Sequence, residues 1–186
     1  MDEDQVLKDT RHWVDQAVIG LNLCPFAKAV QVQGRVRYVV STADTVERLI
    51  YDLGRELNAL HDADPELVDT TLLIHPQVLT DFLDYNDFLD AADALVEELG
   101  LAGELQVASF HPQYQFADTE FDDITNATNR SPYPTLHLIR EDSIDKAVAA
   151  FPDAEAIYEV NMATMERLGP DGWAALQQQC RDDAKR

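Results

Sequence analysis

Cysteine is scarce in this chain, and so is positive charge. The two cysteines, Cys24 and Cys180, stand far apart and form no Cys-x-x-Cys, so neither a zinc site nor a redox pair is signalled. Reduced thiols in a cytoplasmic setting are the expectation. The 14 basic residues face 35 acidic ones, for a formal net charge of -21. Such a surface repels phosphate backbones and anionic lipid, which argues against nucleic acid and membranes as partners. No apolar run approaches the ~18 to 20 residues that cross a bilayer. The opening MDEDQ is acidic, the reverse of a secretory or organelle leader, and again points to the cytoplasm. Long-period repeats and low-complexity segments are absent. So is any His-x-x-x-His or His-x-Asp spacing: His75, His111 and His137 with an acid such as Asp118 have suitable chemistry for zinc or iron, but no metal site is expected. Cofactor and oligomeric state stay open.

What is present describes a packed α/β protein. An apolar share of 46% excludes disorder, and 186 residues suit one core. From Val6 to Leu21 apolar residues recur at the helical period until Gly20 and Asn22 interrupt them, so residues 1–22 form an N-terminal helix. Val36–Val40, Thr70–Ile74, Leu105–Phe110 and Thr135–Arg140 are rich in β-branched or aromatic residues and read as strands. Between the first two, a stripe of Val46, Leu49, Ile50, Leu53, Leu57 and Leu60 predicts a helix ending at Pro65. Val78 to Leu99 predicts another. Alternating strands and helices predict a small, mainly parallel sheet over residues 36–140. The fourth strand lacks a helical crossover before it and is expected to run antiparallel to a neighbour. Residues 141–186 form a helical tail, with helices around Ile144–Phe151, Ala154–Leu168 and from Asp171 onward, broken at Pro152 and at Gly169–Pro170. Trp173 is expected to anchor the last helix by packing.

Candidate site residues gather around the segment from Ser109 to Arg140. About two dozen residues without a clean period separate the last two strands, and connections that long are usually functional or disordered. Phe110, Tyr114, Phe116, Phe121 and Tyr133 are anchors that a disordered segment lacks. Two strands end alike, TLLIHPQ and VASFHPQ, which sets His75 and His111 at strand ends where open α/β sheets bind ligands. Each ring also fits a local capping role. Asn126, Asn129 and Arg130 combine amides with a guanidinium suited to a carboxylate or phosphate, although the amides also fix turns and Arg130 has Asp118, Asp122 and Asp123 close in sequence. His137 faces opposite to Leu136 and Leu138. Cys24 precedes Pro25 and the start of a short helix through Phe26, Ala27 and Lys28, a setting that lowers a thiol pKa; it fits a nucleophile as well as an inert core thiol.

The segments VIGLNLCPFAK, TTLLIHP, DFLDYNDFLDAADALVEELGL, SFHPQYQFADT and TNRSPYPTLHLIRE resemble the bacterial family called domain of unknown function 1415 over nearly the whole chain. That resemblance implies candidate positions, Asn22, Cys24, His111, Asn129, Arg130, Tyr133 and His137, and no mechanism. CPFA is also similar to the CPFC of glutaredoxin-like proteins without its second cysteine, but here the cysteine follows a helix rather than a first strand. Three functional expectations follow. The first is a small enzyme binding an anionic metabolite through Asn126, Asn129 and Arg130, with His111 as acid or base and Cys24 as nucleophile. The second is a non-catalytic interaction module using the 111–134 loop, and the third a degenerate thioredoxin-like protein.

Overall fold

The structure, a computed structural model, describes residues 2–150 and 156–185. The helix end at Phe151, the break at Pro152 and the helix start at Ala154 lie outside the described residues. Helix α1 spans Glu3–Trp13 and continues as a π-helix over Val14–Ile19. The wide turn closes where the Gly20 amide donates to the Asp15 carbonyl at 3.1 Å. A Cβ on Gly20 would lie 2.1 Å from the Gln16 carbonyl oxygen, so only glycine fits there. After a turn at Asn22, whose φ is 55°, the short helix α2 occupies Ala27–Val32. It starts three residues beyond Cys24, which therefore sits in the turn and not at the helix N-terminus.

Strands β1 (Val36–Val40), β2 (Thr70–Ile74), β3 (Leu105–Phe110) and β4 (Thr135–Arg140) form one sheet in the order β1-β2-β4-β3. β1 and β2 pair parallel, while β4 pairs antiparallel with both β2 and β3. The α/β sheet with one reversed strand is as the pattern predicts. Helix α3 (Val46–Asp62) follows β1 and helix α4 (Phe82–Glu98) follows β2. Each start is capped: the Thr45 hydroxyl accepts from the Arg48 amide, and the Asp81 carboxylate from the amides of Leu83 and Asp84. That cap, with Leu79 at φ 55°, explains why α4 begins four residues later than the apolar pattern predicts.

Alternation along the strands sends their side chains into two cores. Leu73, Leu105, Leu136 and Leu138 pack with Leu49, Leu53, Leu57 and Leu60 of α3 and with Tyr85, Phe88, Ala92 and Val96 of α4. On the opposite face Leu72, with the partly buried Tyr38 and Phe110, meets Trp13, Val14 and Ala17 from the first helix and Met165 and Trp173 from the tail. The tail itself comprises α5 (Glu141–Ala150), which starts directly at the end of β4, and α6 (Ala156–Ala184). α6 bends where Gly169 takes φ 69° and ψ 171° ahead of Pro170, the break that the Gly-Pro pair predicts. At the far end of β4, Arg140 donates to the carbonyls of Leu60 in the last turn of α3 and of Ala63 and Val68 beyond it.

Candidate functional site

β3 and β4 are adjacent and antiparallel, with Phe110 opposite Thr135. A hairpin loop of ~2 to 5 residues would join them. Residues 111–134 stand there instead, so the topology does not require this segment. It is held by its own side chains. Asn126, fully buried, accepts through Oδ1 from the Phe116 amide and the Thr119 hydroxyl, both at 2.9 Å, and donates Nδ2 to the Glu120 carbonyl at 2.8 Å. The six-residue 3-10 helix Ile124–Asn129 is capped by Asp123 and sets Ala127 into the core shared with Trp13, Met165 and Trp173. Asn129 ties its end to β3: its Nδ2 donates to the Ser109 carbonyl at 3.3 Å, and its own carbonyl accepts from the His111 amide. Both asparagines are thus engaged inside the loop.

Arg130 follows, half-buried. Its Nε donates to the Tyr114 carbonyl at 3.1 Å and one Nη to the Phe121 carbonyl at 2.6 Å, with the guanidinium 5.0 Å from the centre of the exposed Phe121 ring. None of Asp118, Asp122 and Asp123 lies within ion-pair distance, and among the described residues no carboxylate does. Burial lowers its pKa. Arg130 to Tyr133 then form one wall of a cavity of about 280 Å³. The facing walls come from α1 and the π-helix, with Asp9, Trp13 and Ala17, and from the last half of α6, with Trp173, Leu176, Cys180 and Arg181. The Tyr133 hydroxyl donates to Asp9 at 2.6 Å. Burial first, then that carboxylate, pushes the phenol pKa up, so the proton stays on tyrosine. Cys180 closes the cavity floor with its thiol aimed at the His12 carbonyl and the Gln16 amide oxygen; burial raises its pKa.

The remaining candidates occupy two other places. His75 and His111 do converge: both rings pack on Tyr85 of α4, at centroid distances of 5.7 and 5.0 Å. His111 accepts at Nδ1 from the Gln113 amide, which leaves the Nε2 proton for the Leu79 carbonyl at 3.2 Å. His75 donates Nδ1 to the Val78 carbonyl at 3.0 Å, and its buried Nε2 has no partner. Desolvation pulls His75 down to about 4 and lowers His111 as well, so both rings are neutral near pH 7. His137 lies on the opposite sheet face, near Phe110. There Thr70 donates its hydroxyl proton to the Leu138 carbonyl and so accepts from His137 Nε2 at 2.7 Å. Burial depresses this ring to about 4 too. Asn22 is exposed in its turn. Cys24 next to it is half-buried, beside Leu23, whose carbonyl accepts from Asn161 of α6. Cys24 therefore belongs to the α1–α6 layer and His111 to the α4 layer. Of the candidates read from sequence, Arg130 and Tyr133 alone line the cavity.

Sequence reasoning passed over Asp9, Trp13, Cys180 and Arg181, which meet Arg130 from the two ends of the chain. The only local signal was two tryptophans, Trp13 and Trp173, in amphipathic helices at opposite termini. Among the described residues no cluster of three or more His, Cys, Asp or Glu side chains is arranged to hold a metal ion. No described helix is long and apolar enough to cross a membrane.

Fold and cavity together define a small α/β protein with a mixed four-stranded sheet, in which an elaborated β3–β4 connection and two terminal helices enclose an aromatic pocket. The chain belongs to the family described as protein of unknown function (DUF1415), whose model matches residues 5–175. Asp9, Trp13, Arg130, Tyr133 and Trp173 fall inside that span, while Cys180 and Arg181 lie beyond it. No curated protein and no solved structure matches the chain.

Proposed function

We propose that this protein binds a small organic anion in the cavity between the Arg130–Tyr133 turn, the first helix and the last half of α6. The observation that carries the reading is Arg130: a half-buried guanidinium, without a carboxylate partner among the described residues, lining a pocket whose other walls are largely apolar. A buried cation without a counter-charge is costly, and an anionic ligand supplies the missing charge through charge-assisted hydrogen bonds. Apolar walls with a few convergent polar groups are the usual make-up of small-molecule sites. The reading is one of binding rather than of cysteine–histidine catalysis, because Cys24 and His111 sit in different layers and both ring nitrogens of His111 are engaged by backbone.

A thermal-shift screen of organic anions tests it. A ligand at a hundred-fold excess over its Kd stabilises by about 2.7 kcal/mol, which raises Tm by several degrees. The rise is expected in the wild-type protein and not in Arg130→Gln, nor in Arg181→Gln, which changes an exposed position and leaves the fold intact. An equal rise in all three proteins would contradict the assignment of the anion to this cavity.

A further inference from the structure

We infer that the ligand is a monocarboxylate carried on a single flat ring, an inference that rests on the binding reading above. Charge comes first. The cavity presents Arg130 and Arg181 against Asp9, whose carboxylate is already held by the Tyr133 hydroxyl at 2.6 Å and by Gln5 Nε2 at 2.9 Å. One positive charge is left over. Around it stands a chain of net charge -21, whose field opposes the approach of dianions and polyphosphates more strongly than that of a monoanion.

Donor count points the same way. Phosphoryl groups are usually cradled by several backbone N–H groups or by clustered cations. Here Pro132 has no N–H, and the Ser131 hydroxyl is turned onto the Tyr133 carbonyl at 2.6 Å. Arg130 has given Nε and Nη2 to loop carbonyls, and Nη1 has no partner among the described residues. A planar carboxylate, with two acceptor oxygens, needs little more than that Nη1 end and Arg181.

The walls specify the rest of the molecule. Trp13, Trp173 and Tyr133 all line the space. Trp13 rests edge-on against Phe110, with centroids 5.2 Å apart, while among the described residues no ring contact joins the two indoles to each other or to Tyr133. The two indoles are 5% and 6% exposed, and these strips of aromatic surface, with the half-buried Tyr133, favour a flat ring that meets them in offset or edge-on contact. The volume of about 280 Å³ lies just below the ~300 to 1,000 Å³ typical of ligand pockets. It has room for one ring and its acid.

Trp13 and Trp173 are the only two tryptophans in the chain, so intrinsic fluorescence of the full protein reads this cavity directly. The probes are benzoate, its neutral isostere benzamide, acetate and inorganic phosphate. Benzoate is expected to change the emission saturably and to bind roughly ten-fold or more tighter than each of the other three. Arg181→Gln is expected to weaken benzoate binding while leaving benzamide unaffected. If acetate or phosphate binds in an Arg181-dependent way and benzoate does not, the ring inference is overturned and the anion reading stands. If benzamide binds as well as benzoate, the anion reading falls with it. Constant emission with every probe would overturn both.

Discussion

Burial of titratable rings is where single residues set the behaviour of this protein. His75 lies wholly inside the first core with an unpartnered Nε2, and His137 lies against the second, between Thr70 and the Phe110 ring. An unfolded chain takes up a proton on each ring near pH 6.5, whereas the folded chain resists until about pH 4. The neutral rings therefore contribute stability in full above pH 6.5, and that contribution is lost as pH falls from 6.5 towards 4. For His75 the loss is on the order of 3 kcal/mol. Urea unfolding at several pH values across this window measures it. His75→Phe keeps a ring on Tyr85 and has no proton to accept, so the stability of wild type relative to the variant is expected to fall as pH drops from 6.5 towards 4. A difference independent of pH would count against the burial account. Asn126 illustrates the converse lesson: its three hydrogen bonds all close the loop, so the residue type that signalled a ligand contact in the sequence serves as a brace.

Among the elements, α6 is the one whose geometry decides the cavity, since its last half carries Trp173, Cys180 and Arg181. Its direction is set at Gly169, whose φ of 69° and ψ of 171° fall in a region essentially closed to residues with a Cβ. A Cβ there would meet no neighbour within 4 Å, so a substitution acts through the backbone alone. Gly169→Ala is expected to cost about 1 to 3 kcal/mol of stability and to weaken ligand binding by displacing the wall. Denaturant unfolding and a ligand titration on the same preparation check both, and wild-type values for the two would contradict the hinge assignment. Most of this element structure was legible beforehand. Short β-branched runs marked all four strands, the missing crossover marked β4 as reversed, and Gly169–Pro170 marked the bend. Helix starts were less legible, because Asp81 and Leu79 override an apolar pattern that continues smoothly through Val78.

For the molecule as a whole, the long β3–β4 connection has a physical meaning only once the strand order is known. Two strands that are neighbours with paired ends need no more than a tight turn, so the extra chain is there to build something. What it builds was not legible in the sequence, because the cavity joins Asp9, Arg130 and Arg181 through packing of both chain ends against the loop, and no local spacing encodes that meeting. Arg130 and Tyr133 were readable as candidates from their place in the loop, and both line the cavity. Trp173 was readable as an anchor, and it is one, with a second face on the cavity. The central claim, that this cavity is the ligand site, is tested most directly by following the two indole N–H resonances of 15N-labelled protein, assigned with Trp13→Phe and Trp173→Phe, during addition of benzoate. Both resonances are expected to shift together and to saturate at one ligand per chain. Two resonances that stay in place while benzoate stabilises the protein would contradict the account.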